Sequence, residues 1–204
     1  MMTPEQAKVR QHDVAEKPMR IPPLPQKELG PELHEIVARI GATLGYEPPA
    51  ELTTYFALMA KHPAFFRVHL ETGIMFFTQS ALPPRDRELA VLRVAWLAGA
   101  PYEWGEHVDI GRKIGIGPDD TDRIRVGPDA PGWSEHERAL LTAVEELVAR
   151  QMMSDHTWMI LSQTYNEQQM IEVPALIGQY FAVAMIQNSL RVPLARDNKG
   201  FAER

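Results

Sequence analysis

Cysteine is absent from the 204-residue chain, which excludes disulfides, thiolate nucleophiles, CxxC redox exchange and thiolate metal ligands. Basic runs are absent too: 21 Lys and Arg stand against 27 Asp and Glu, a net charge of −6 that argues against a nucleic-acid surface. The N-terminal stretch MMTPEQAKVRQHDVAEKPMR carries acidic residues and no long apolar core. Neither a secretory signal nor a membrane span is therefore expected there, and cytoplasmic residence is the expectation. The seven histidines form no HExxH or paired-histidine motif, and no glycine-rich phosphate loop or GxSxG elbow occurs. Metal catalysis and those phosphate-loop and serine-nucleophile mechanisms rank low on that basis. Alternating β-branched runs with turn dipeptides are missing as well, which leaves an all-α fold.

What is present is an ordinary globular balance, 45% apolar and 24% charged residues, in a chain long enough for one domain with a sizeable core. Residues 1–26 mix charges with Pro18, Pro22, Pro23 and Pro25 and read as a partly extended N-terminal arm. Residues 27–195 read as the helical domain and 196–204 as a C-terminal tail. Within the domain, Leu33, Ile36, Val37 and Ile40 recur at helical spacing from Glu28 to about Leu44, closed by Gly41 and Gly45. After Pro48 and Pro49 a helix is predicted over about 50–60, and Pro63 opens a longer one dense in phenylalanine, read as core, with His69 inside it. Further helices are predicted at 84–98, 101–115, after Pro118 to Gly127, and from Ser134 to about Arg150, where Ser134 and Glu137 have capping-box spacing. That spacing gives His136 a structural setting. The last two helices start near Asp155 and near Glu167 or Pro174, the final one ending at Leu190 before Pro193.

The most informative stretch is PRDRELAVLRVAWLAGAPYEWGEH, residues 84–107. A helix from Pro84 puts Glu88 on one stripe with Val91, Leu92, Ala95 and Trp96. After Gly99 and Pro101, a second pattern aligns Glu103 and His107 with Ile110 and Ile114, while Glu106, Asp109 and Lys113 fall on a polar side. Two successive helices thus converge two carboxyls and an imidazole, groups whose burial and mutual charge move proton exchange toward neutral pH. The competing reading pairs Glu88 with Arg85, Arg87 or Arg93 as a structural ion pair.

The stretch LPPRDRELAVLRVAWLAGAPYEWGEHVDIGRKIGI resembles the carboxymuconolactone decarboxylase family, which shares its fold with alkylhydroperoxidase D. The similarity is specific over about residues 82–126 and looser to about 195. It implies an all-helical protomer that self-associates as a homotrimer or larger assembly. In the family's peroxidase branch a glutamate, a CxxC pair and a histidine relay protons to a reactive thiol. Those positions fall on Glu88, on Ala100 and Glu103 in place of the two cysteines, and on His107, so the proton-handling groups remain without the sulfurs.

The decarboxylase branch, by the same resemblance, works without thiols, metal or organic cofactor on a carboxylated lactone of aromatic-compound catabolism. It implies catalytic roles for His107, Glu103 and Glu88: loss of CO2 leaves a carbanion that needs a positioned acid, a role that suits His107. A carboxylated small-molecule substrate would also want a cation, for which Arg85, Arg93, Arg112 and Arg191 are candidates, with Tyr102 and Trp104 as candidate pocket walls. The expected function is a cofactor-independent lyase or isomerase acting by proton transfer. The alternatives are a non-catalytic helical oligomer that binds a small apolar ligand, and a peroxide-handling oxidoreductase lacking the thiols.

Overall fold

The computed structural model describes residues 2–44, 51–195 and 197–204. Among them every regular element is helical: α1 (Pro4–Gln11), a π-helical turn (His12–Glu16), a short 3-10 turn (Gln26–Glu28), α2 (Pro31–Leu44), α3 (Thr54–Met59), α4 (Pro63–Thr78), α5 (Pro84–Leu97), α6 (Pro101–Lys113), α7 (Pro118–Val126), α8 (Glu135–Arg150), α9 (Asp155–Leu161), α10 (Glu167–Leu190) and a closing 3-10 turn (Gly200–Ala202). The expected stop at Gly45 and the break at Pro48 and Pro49 lie outside the described residues.

The chain divides into two compact units where one domain is expected from the sequence. One comprises Pro18–Ser80. Its core gathers Leu29, Val37, Leu52 and Ala57, with Leu24, Leu33 and Phe56 packed against them. The Gln26 side chain ties Leu52 in place, accepting from its N–H at 3.0 Å and donating to its carbonyl at 2.9 Å. The aromatic density of α4 is only partly core: Phe66, Leu70 and Phe76 are buried, while Phe65 and Val68 are exposed. His69 is bonded to the Tyr55 hydroxyl at 2.9 Å.

The other unit comprises Met1–Lys17 and Ala81–Arg204, and it carries the residues singled out above. The expected extended arm is helical through residue 16, because the prolines that forbid a helix begin only at Pro18. Thr3 and Gln6 form a reciprocal capping box at the start of α1, and Pro4 occupies the first turn, where a missing N–H costs nothing. Ala7, Val14 and Ala15 are buried. The tail is pinned as well. Asn198 donates to Tyr102 O at 2.8 Å and Glu106 Oε1 at 2.9 Å, and Arg125 donates to the carbonyls of Phe201 at 2.9 Å and Glu203 at 2.7 Å.

At the centre of this unit α5 packs against α6, α7, α8 and α10, and every residue from Asp86 to Trp96 is buried. The Ser134–Glu137 capping box opens α8 as the sequence predicts. Helix α10 starts at Glu167, and Pro174 is absorbed inside it. By length and composition α10 is apolar enough to cross a membrane, but here it packs along α5 and α8 with Val173, Leu176 and Ala184 buried.

Candidate active site

The joint between α5 and α6 sets the site. Helix α5 ends in a Schellman motif: Gly99 takes a left-handed φ of 59°, its N–H donates to Trp96 O at 3.1 Å, and the Ala100 N–H donates to Ala95 O at 2.9 Å. A side chain at Gly99 would run into Arg10, whose Nε donates to the Gly99 carbonyl at 3.1 Å. Pro101 then starts α6 in its first turn. The chain turns back on itself in three residues, so a side chain on the second turn of α5 meets one on the second turn of α6.

Those side chains are Glu88 and His107. The imidazole Nδ1 lies 2.7 Å from Glu88 Oε2, with His107 6% exposed and Glu88 not at all. Arg87 Nε donates to the other carboxyl oxygen at 2.9 Å. Burial pushes the Glu88 carboxyl up, but the His107 ring and the Arg87 guanidinium outweigh it and hold the group below the usual carboxylate range. Glu88 is therefore an anion, and an anion only accepts. The proton of this bond belongs to Nδ1, which makes Nε2 the ring position available for proton exchange. The edge of the His107 ring stands against Tyr180, centroids 4.9 Å apart at 88°.

Glu103 occupies the same interior in a different state. It is 2% exposed, and both carboxyl oxygens lack a hydrogen-bond partner among the described residues. Burial alone drives its pKa well above the ordinary value, which favours the neutral acid over the carboxylate. The histidine contact open to Glu103 one helical turn away goes to Glu88 across the helix joint. Burial, then the negative charge of Glu88 and that of Glu103 once ionised, also raise the Tyr180 phenol well above its ordinary pKa. The interior around Tyr180 thus holds two differently biased acids: Glu88, bonded to the imidazole and pushed toward its anion, and Glu103, pushed by burial toward its neutral form.

The other candidates lie in other contacts. Trp104 is fully buried, with its indole N–H donating to Glu203 O at 3.1 Å and its ring centroid 5.2 Å from that of Trp96. Tyr102 is buried and offers its carbonyl to Asn198. Arg85 grips Asp120 through two bonds of 3.0 and 3.1 Å and Glu137 through a third of 2.9 Å, stapling α5 to α7 and α8. Arg93 donates to Ile124 O at 2.6 Å and pairs with Glu145. Arg112 holds Glu203 at 2.9 Å and pairs with Asp109. Arg191 forms the left-handed C-cap of α10, φ 55°. The cation beside the Glu88–His107 pair is Arg87, present in the sequence only as one of three possible ion-pair partners.

A second cluster escaped the sequence reading. Asp86 Oδ2 accepts from the Tyr165 hydroxyl at 2.6 Å and contacts His136 Nε2 at 2.9 Å, while His136 Nδ1 meets Thr164 Oγ1 at 2.8 Å. His136 is thus a tie between α8, α5 and the turn before α10, not a bystander of the capping box. No spacing rule links positions 50 and 79 residues apart.

The fold is all-helical among the described residues and alkylhydroperoxidase D-like, in a chain without cysteine. The model of the carboxymuconolactone decarboxylase family matches residues 64–146, a stretch that includes Glu88, Glu103 and His107. Among solved structures, an uncharacterized peroxidase-related protein of Ralstonia eutropha JMP134 with an alkylhydroperoxidase AhpD core has a TM-score of 0.74 at 15% identity, covering 89% of this chain and 95% of that one. A debrominase, Bmp8, in complex with 2,3,4-tribromopyrrole has a TM-score of 0.72 at 16% identity, covering 88% and 93%. An uncharacterized peroxidase-related protein of Silicibacter sp. TM1040 has a TM-score of 0.70 at 14% identity, covering 90% and 97%. At these identities the likeness is one of fold. No curated protein matches the sequence.

Proposed function

We propose that the protein is a cofactor-independent lyase or isomerase acting by proton transfer on a small carboxylated or lactone-type molecule. The observation that carries this reading is the 2.7 Å bond between His107 Nδ1 and a Glu88 carboxylate that His107 and Arg87 favour, with Glu103 in the same interior pushed by burial toward its neutral form. Carboxyl groups whose surroundings push them to opposite protonation states are the arrangement that acid/base division of labour needs.

In the decarboxylating version, the bond from the substrate carbon to its carboxylate breaks, CO2 leaves, and the electron pair moves into a conjugated carbonyl. Glu103 donates a hydrogen bond to the enolate oxygen that forms, and His107, protonated at Nε2, delivers a proton to carbon and regains it from solvent. Glu88 stabilises the imidazolium and fixes the ring. In the isomerising version Nε2 first removes the proton that it later returns. The bromopyrrole bound by the debrominase of this fold supports a small flat ring as ligand. A thiol relay is excluded by composition.

The test is turnover of a panel of carboxylated lactones in D2O, following CO2 release and deuterium incorporation by NMR. His107→Ala should lose at least about a hundredfold in rate and melt within a few degrees of the parent. Equal turnover in that variant, or decarboxylated product formed without solvent deuterium, sinks the reading.

A further inference from the structure

Away from the Glu88–His107 pair, α1, the ends of α5 and α7 and the closing 3-10 turn enclose a cavity of about 500 Å³. We infer that it is a second small-molecule site, built for a compact apolar carboxylate. The volume lies within the range of small-molecule sites, but the lining makes the argument. Trp96 and Phe201 stand edge to face, centroids 5.3 Å apart, and with Ala7 and Val126 they supply apolar walls. Lys8 and Arg125 supply positive charge. Lys8 is exposed and makes no ion pair among the described residues. The acid on the wall, Glu16, is already engaged by Gln11 and His12, each at 3.2 Å.

Arg125 is the more telling of the two cations. Its guanidinium lies over the rings of Trp96 and Trp104, 5.4 and 5.1 Å from their centroids. Its nearest carboxylate, Asp122, is 3.5 Å away, and two of its bonds go to neutral carbonyls. Its charge is thus weakly compensated. An apolar body against Trp96 and Phe201, with an anion between Lys8 and Arg125, answers charge and shape together.

The experiment is calorimetric titration of the full chain with naphthalene-2-carboxylate, and with 2-naphthalenemethanol as its neutral counterpart. Saturable one-to-one binding of the carboxylate is expected, with the alcohol roughly fivefold weaker, since a half-exposed ion pair contributes little more. Lys8→Glu replaces attraction by repulsion at an exposed position and should weaken the carboxylate about tenfold while leaving the alcohol unchanged. Ala202→Trp, also at an exposed position on the rim, should block both. Glu103→Gln should bind like the parent, which separates this site from the one proposed for catalysis. No saturable binding, indifference to Lys8→Glu, or loss of binding in Glu103→Gln instead would each overturn the assignment.

Discussion

Glu88 and Glu103 both act on the Tyr180 phenol from the same interior, yet their carboxyl pKa values are pushed in opposite directions. Their burial is nearly equal, so partners decide the difference: Glu88 has an imidazole and a guanidinium, and Glu103 has neither among the described residues. Two like charges in one dry interior would repel strongly, and the arrangement avoids this by favouring a proton on one of them.

This has a consequence for stability against pH. In the folded chain Glu103 keeps its proton well above its ordinary pKa of 4.5, whereas the unfolded chain releases it near that value. The stabilisation is full below 4.5 and is lost as pH rises through the folded pKa. Glu103→Gln removes the titrating proton, so its melting temperature should gain steadily on the parent from pH 5 into the alkaline range, by calorimetry. Glu88 works in the opposite sense: its contribution is present above 4.5 and lost as pH falls through its depressed folded pKa. Parallel melting curves for parent and Glu103→Gln across pH would mean that Glu103 titrates normally.

Arg87 is a positioning residue under the proposed mechanism. Replacing it with Gln removes the guanidinium from Glu88 Oε1 and should raise the Glu88 pKa, since an opposite charge nearby favours the ionised form. The acid limb of the kcat/KM profile should then move up by about one pH unit, a readout that a purely structural loss would not shift. An unmoved limb would detach Glu88 ionisation from catalysis.

Tyr165→Phe tests the second cluster. The change deletes the hydroxyl that donates to Asp86 at 2.6 Å and leaves the aromatic body in place. A hydrogen bond to a buried carboxylate is worth about 2 kcal/mol, which in a chain of this size lowers the melting temperature by about 4–8 °C. Activity per folded molecule should be unchanged, because the cluster shares no residue with the Glu88–His107 pair.

Gly105→Ala tests the tail. A Cβ at this buried position of α6 would overlap the Asn198 side chain, so Asn198 must release Tyr102 O and Glu106. Overpacking of this kind costs about 1–3 kcal/mol. Limited proteolysis should cut the C-terminal residues of the variant sooner than those of the parent, and equal resistance would show that Asn198 does not hold the tail.

Local signals carried far in this chain, and distant ones did not. Periodicity and prolines located α5 and α6 to within two residues, and the Ser134–Glu137 spacing located the start of α8, because these depend on neighbours in sequence. The inward placement of Glu88, Glu103 and His107 followed from the same periodicity. Which acid the histidine would choose did not, since the contact crosses a helix joint. The arginines were misleading for a related reason: a guanidinium is long enough to be claimed by any acid within reach, and Asp120, Glu137, Glu145 and Glu203 lie nearby only in the folded chain. The helical N-terminus was hidden by the four prolines from Pro18 to Pro25, whose influence does not reach back to α1.

Because α5 is enclosed by four other helices, its amides have no local route to solvent. Their exchange with deuterium should proceed through global unfolding, more slowly than at the chain ends. Glu88 therefore rides on a segment that cannot fray by itself, and small breathing motions elsewhere leave its grip on the imidazole intact.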